Sequence, residues 1–228
     1  MRPDPTILAF DTSAAHCAAA LLSGGAIRQS TLEHIQRGQA ERLLPILEEM
    51  LAAEAIGWAD LDALAVGIGP GNFTGTRISV AAARGLALAL SIPAVGVSTF
   101  EIMRPPDSGR QEANELVSIE APRGQAYVRH FRHGKPYAAA RLIDPFDPPE
   151  ELRLPVNMIV TGYMAEEIAK RFDARALPAG LSDIGARIAR LAEQRLVLDN
   201  EQPDRPAPLY VRPADAAPPK DLAPVILG

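Results

Sequence analysis

One stretch constrains this chain more than any other: Gly67-Ile68-Gly69-Pro70-Gly71-Asn72-Phe73-Thr74-Gly75-Thr76-Arg77. Before it, Leu61 to Ile68 is short, apolar and closed by glycine and proline, as expected of a buried strand. After it, Ile78 to Leu90 is rich in Ala and Leu, which are among the strongest helix formers. Gly69, Pro70 and Gly71 allow a sharp reversal and close backbone approach, and Asn72 suits the helix N-cap. A strand, a glycine turn and a helix N-terminus also converge N–H groups and the positive dipole end, which can cradle an anion. The spacing matches neither a P-loop nor a full dinucleotide fingerprint, and no lysine follows to meet a phosphate. A structural turn and an anion cradle are thus both open readings.

Charge and composition narrow the function classes. The chain has 228 residues, 47% hydrophobic and 22% charged, enough to bury one large core or two small ones. Its net charge is −5 and its pI about 5.4, and nucleic-acid affinity rests largely on phosphate neutralisation, so it is a poor candidate for holding RNA by itself. Cys17 is the single cysteine, which excludes an internal disulfide and fits a reducing, cytoplasmic setting. No apolar run approaches a membrane span.

Taken in order, Ile7 to Phe10 reads as a strand ending in Asp11-Thr12-Ser13. Cys17 to Leu22 and Ala26 to Glu33 follow as a hairpin turned by Gly24-Gly25. A helix runs from about Gly38 to Glu54 with Pro45 inside it, where a kink is expected. Then come the strand to Ile68, the glycine loop, the second helix and a strand over Ala94 to Val97. Arg104 to Gly109 reads as a linker. A second lobe follows, with strands at Leu116 to Ile119, Gln125 to Arg132, Pro136 to Ile143 and Met158 to Gly162, and helices at Tyr163 to Arg171 and Asp183 to Leu191. The division expected is 1–103, 104–212 and a flexible Ala/Pro-rich tail, 213–228.

On the second helix Gly75, Ser79, Ala83 and Ala87 recur every four residues, with Ala82, Leu86 and Leu90 beside them. Small residues at that spacing admit a close neighbouring helix. On the first, Leu43, Leu44, Ile46, Leu47, Met50 and Leu51 are apolar almost all round, more than one sheet contact requires. Both features are expected either to pack internally or to form a partner surface, through Leu43, Leu47, Met50, Gly75, Ser79, Ala82, Ala83, Leu86 and Leu90.

The glycine loop closely resembles the G-x-G-P-G-S-F-T-G-x-R signature of the bacterial TsaB (YeaZ) family. Ile7 to Ser13, Glu41 to Pro45, Ile92 to Ser98 and Pro208 to Arg212 agree with that family in order. The match is dense from Ile7 to Glu101 and thin beyond. The resemblance implies an α/β fold of the actin, Hsp70 and sugar-kinase type, two ribonuclease-H-like lobes with mixed sheets flanked by helices. It also implies an accessory subunit, without a catalytic residue of its own, in the making of N6-threonylcarbamoyladenosine in tRNA. Its partners would be TsaD, docked on the two helices, and TsaE, with a homodimer through the same surface and tRNA contacted only indirectly. ATP or ADP would sit at an interface shared with the partner.

The alternative is an independent actin-fold ATPase or kinase. It would use Asp11, Thr12, Ser13, Gly69, Gly71, Asn72, Thr74 and Arg77 as anion or nucleotide contacts. No second phosphate hairpin or adenosine-clasping segment is legible between Gln111 and Arg212. No metal is expected, because His130 and His133, three apart on a strand, face opposite ways. Where the family often has R-x-H-S, this chain has Arg37-Gly38-Gln39-Ala40. Asn72 replaces the family's serine with another capping residue, and Pro122 interrupts a second-lobe motif and puts any contact there in doubt.

Overall fold

The computed structural model describes residues 4–104, 114–153, 157–177, 179–197 and 203–211. The first sheet joins β1 (Ile7–Asp11), β2 (His16–Ser23), β3 (Ala26–His34), β4 (Ala63–Gly67) and β5 (Ala94–Val97) in the order β3-β2-β1-β4-β5. The first three strands are antiparallel, and β4 and β5 run parallel to β1, the ribonuclease-H-like arrangement. Every residue of β1 and β4 is buried, as expected where both faces of a sheet are covered. Gly24 and Gly25, at φ +59 and +68, make the β2–β3 turn in a conformation that favours glycine at both positions.

Alternation along the strands sorts the core into two layers. Leu8, Phe10, Leu64 and Val66 face α1 (Gln39–Ala53) and α2 (Phe73–Leu90). Ile7, Ala9, Ala63 and Ala65 face the other way, onto α5 (Ile184–Val197) through Ile184, Ile188, Ala189, Ala192 and Leu196. That helix corrects the expected division at residue 104, because it belongs to the first sheet although it lies far along the chain. Gly185 makes the fit possible, since a Cβ there would stand 2.5 Å from the backbone of Ala19. The segment 203–211 returns as well, with Leu209 N–H donating to the Ile68 carbonyl at 2.8 Å. Helix α1 is continuous through Pro45.

The second sheet contains β6 (Asn114–Glu120), β7 (Ala126–Arg132), β8 (Lys135–Pro136), β9 (Arg141–Ile143), β10 (Met158–Gly162) and β11 (Arg175–Leu177). Its order is β11-β10-β6-β7-β8, with β9 also on β7, and α4 (Ala165–Phe172) covers one face. The strand expected over Pro136 to Ile143 is therefore two short pieces. His133 lies in the turn after β7 rather than on the strand. The expected tail at 213–228, the end of the Pro208 to Arg212 motif and all of the linker but Arg104 lie outside the described residues.

The two sheets meet at α3 (Thr99–Met103) and Arg104. Glu115, 1% exposed, accepts from Arg104 Nε at 2.6 Å and from Thr161 Oγ1 at 2.6 Å. The Arg104 guanidinium also lies 4.7 Å from the Phe131 ring centroid and donates to the Gly134 carbonyl. Arg195 of α5 pairs with Glu101 of α3.

Two predictions follow from this packing. Arg104→Met strips a buried carboxylate of its guanidinium and is expected to cost about 3 to 5 kcal/mol in a denaturant melt. His130 is buried against the Leu152 carbonyl, to which Nε2–H donates at 2.8 Å. Burial holds its imidazole below the usual range, assisted by Arg141 and Arg132 and opposed by the Leu152 bond. Because the unfolded chain then takes up the proton first, stability is full above pH about 6.5 and falls as pH drops through the lowered folded value. A His130→Gln variant should show a flatter stability profile between pH 7 and 5, roughly the range of an ordinary imidazole titration.

Candidate functional site

The glycine loop joins β4 to α2, and its neighbour is the β1–β2 loop. Asn72 caps α2, its Oδ1 accepting from Thr74 N–H at 3.0 Å and Gly75 N–H at 3.1 Å. The Asn72 N–H itself donates to the Ser13 carbonyl at 2.5 Å, and its carbonyl accepts from Thr76 N–H at 2.9 Å. Thr12 Oγ1 donates to the Gly75 carbonyl at 2.7 Å. On the far side, Thr99 holds the loop by donating from N–H to the Gly69 carbonyl and from Oγ1 to the Pro70 carbonyl. The Gly69–Pro70 peptide is cis.

The glycines are there for the chain's own backbone. A Cβ at Gly75 would stand 1.9 Å from the Thr12 carbonyl oxygen, and one at Gly71 would stand 2.3 Å from that of Ser13. The close approach that glycine permits is taken by residues 12 and 13, and the first-turn N–H groups of Thr74 and Gly75 by a carboxamide. These residues do not fit a phosphate group in the way the anion-cradle reading requires.

Asp11 is 2% exposed and builds the same platform. Its Oδ1 accepts from Ser13 N–H at 3.0 Å, Ser13 Oγ at 2.9 Å and His16 Nε2 at 2.8 Å. Gly67 makes room for it, since a Cβ there would stand 1.8 Å from Oδ2. Among the predicted anion contacts, Asp11, Thr12, Ser13, Gly69, Gly71 and Asn72 do come together, but as an interlock of two loops. Thr74 and Arg77 point outward. Arg77 lies 3.7 Å above the Phe73 ring and donates from Nε to the Tyr210 hydroxyl at 2.8 Å, with the Phe73 and Tyr210 rings 5.3 Å apart. Sequence reasoning missed this cluster. Its one sequence signal is that Phe73, Arg77 and Tyr210 all sit in the two family-like motifs.

The expected partner surface needs correcting. Leu43, Leu47, Met50, Gly75, Ser79 and Ala83 are buried within their own lobe, and Leu43, Leu47, Met50 and Ala83 belong to the layer between the helices and the sheet. The small stripe lets α2 lie close to its own strands, where Ser79 Oγ donates to the Gly67 carbonyl at 3.1 Å. Ala82, Leu86 and Leu90 are partly exposed, and the large apolar residues facing outward on the two helices are Leu44, at 44%, Leu88, at 78%, and Phe73 at the start of α2. Cys17 is buried too, and burial pushes its thiol up to about 11, away from reactive thiolate chemistry.

Comparison with known proteins places this geometry in context. Residues 32–181 match the family model described as TsaD, tRNA N6-adenosine threonylcarbamoyltransferase. The tRNA threonylcarbamoyladenosine biosynthesis protein TsaB of Escherichia coli is 37% identical over 127 residues, which take in 55% of this chain and 54% of that one. TsaB of Haemophilus influenzae is 37% identical over 123 residues, 54% and 52% of the two chains. The aligned region thus spans about half the length of these curated relatives. Among solved structures, YeaZ from Pseudomonas aeruginosa superposes with a TM-score of 0.63 at 30% identity, over 84% of this chain and 93% of that one.

The interlock makes opposite predictions for two glycines of α2. Gly75→Ala drives a methyl into the Thr12 carbonyl and should destabilise by about 3 kcal/mol or more, at the upper end for overpacking. Gly85 has nothing within 4 Å of a built Cβ, so Gly85→Ala should stabilise by up to about 1 kcal/mol through helix propensity. Chemical denaturation of the two variants beside wild type measures both.

Proposed function

We propose a function that proceeds from one premise, that the chain belongs to the TsaB (YeaZ) family, within the wider family of the tRNA N6-adenosine threonylcarbamoyltransferase. It is an accessory subunit in the biosynthesis of threonylcarbamoyladenosine in tRNA, which completes and activates a TsaD-type transferase and works with TsaE. It carries no transfer chemistry of its own. Adenine nucleotide belongs to the boundary with the transferase rather than to this chain's glycine loop.

The observation that carries this reading is the filled loop. An independent actin-fold ATPase would have to draw its phosphate contacts from the Asp11–Ser13 turn and the glycine loop. Here those two elements are spent on each other, through Asn72, Ser13, Thr12 and Gly75. The same observation weighs against the independent ATPase. Docking falls to the outward residues of α1 and α2, above all Leu44 and Leu88, with Ala82, Leu86 and Leu90 at their edges. A self-pairing of two copies would use that face as well and would compete with the transferase.

Leu88→Glu separates surface from core. An exposed position should melt within about 0.5 kcal/mol of wild type. A charge set into an apolar contact should weaken binding to the transferase by at least about 10-fold, worth about 1.4 kcal/mol. Calorimetric titration with TsaD, alongside tRNA modification in the mixture with TsaE, tests both. Wild-type binding and modification by the variant would remove this face from the proposal. Ala83→Glu, by contrast, should fail to fold, because Ala83 is wholly buried.

A further inference from the structure

Charge is segregated in this chain more sharply than its net value suggests. From Ala121 to Ile143 there are five basic residues, Arg123, Arg129, Arg132, Lys135 and Arg141, with His130 and His133 and no Asp or Glu. Removing those five charges from a net −5 leaves −10 for the rest. The fold then concentrates three of them. Arg132 stands opposite Lys135 in the β7–β8 register, and Val128 stands opposite Arg141 in the β7–β9 register. Cross-strand partners share a face, and so do Val128, His130 and Arg132 along β7. Arg132, Lys135 and Arg141 therefore rise from one face at the edge of the second sheet, all three exposed.

An aromatic ring stands among them. Tyr137 is 50% exposed, with the Arg132 guanidinium 4.8 Å from its centroid and the His130 ring at 5.7 Å. None of the five cations has a carboxylate partner among the described residues, although Arg42, Arg104, Arg153, Arg190 and Arg195 each have one. Like charges gathered on one edge repel each other, and a polyanion relieves that repulsion while releasing its own counterions. An exposed ring beside such cations is the arrangement on which an unpaired base stacks.

We propose that this edge of the second sheet docks RNA, with Arg132, Lys135 and Arg141 on the phosphodiester backbone and Tyr137 under an unpaired base. The RNA is the tRNA of the proposed function, so the inference rests on that reading. It replaces the expectation that tRNA is met only indirectly, because the acidic average conceals a basic edge that acts once partners supply the remaining contacts.

The test uses the full chain assembled with TsaD and TsaE, with unmodified substrate tRNA as probe and binding followed by anisotropy across a salt series. The patch variant is Arg132→Gln/Lys135→Gln/Arg141→Gln. Its control, Arg28→Gln/Arg175→Gln/Arg190→Gln, removes the same charge from other surfaces, Arg175 lying on the opposite edge strand of the same sheet. Three lost phosphate contacts should lower the salt slope by about 2 to 3 and weaken low-salt binding by about 10-fold or more, with melting and assembly unchanged. The control should stay within about twofold, and Tyr137→Ala should weaken binding with no change in slope. Equal behaviour of patch and control variants overturns the proposal. If the patch variant instead loses assembly, the edge takes an acidic protein and not RNA, which also overturns it. If wild type does not assemble with the transferase, it is the subunit reading that fails, and the same comparison on the isolated chain at low salt decides the RNA surface.

Discussion

The structure depends on two loops that occupy each other. The end of β1 turns through Asp11, Thr12 and Ser13, and the carbonyls of Thr12 and Ser13 enter the space that Gly75 and Gly71 leave at the start of α2. Asn72 then satisfies two of the first-turn N–H groups, those of Thr74 and Gly75, that would otherwise need water or a ligand. The arrangement fixes the angle at which α2 leaves the sheet, and so which of its residues face in.

This division of labour explains where polar groups are buried. Asp11 serves the turn through Ser13 and His16, and Glu115 serves the lobe junction through Arg104 and Thr161. Donors reach both oxygens of Glu115, whereas at Asp11 all three fall on Oδ1 and the buried Oδ2 has no hydrogen-bond partner among the described residues. The returning segment 203–211 adds Leu209 and Val211 to the apolar cluster that contains Phe100 and Phe131.

The first lobe was legible because its signals are local. Buried runs in β1 and β4, the Gly24-Gly25 turn and the Asn72 cap each act within a few residues. What was not legible depends on which neighbour a surface meets. A stripe of Gly75, Ser79 and Ala83 says that something approaches α2 closely, and the same spacing serves a partner helix or the helix's own sheet. Local patterning places helix α5 with the second lobe, because its partner, Ala19, lies more than a hundred and sixty residues earlier, beyond any local pattern. The basic edge was hidden for a related reason: Arg132, Lys135 and Arg141 form no run in sequence and become neighbours only when β7, β8 and β9 pair.

The central claim is that the glycine loop is a structural joint and not a nucleotide site of this chain alone. Its most direct test is titration of the isolated protein with ATP and a divalent cation in a calorimeter, at ligand concentrations into the low millimolar range of ordinary enzyme sites. The account predicts no saturable heat, and none for Thr12→Ala or Asn72→Ala variants either. Stoichiometric binding by wild type that Asn72→Ala abolishes would contradict it.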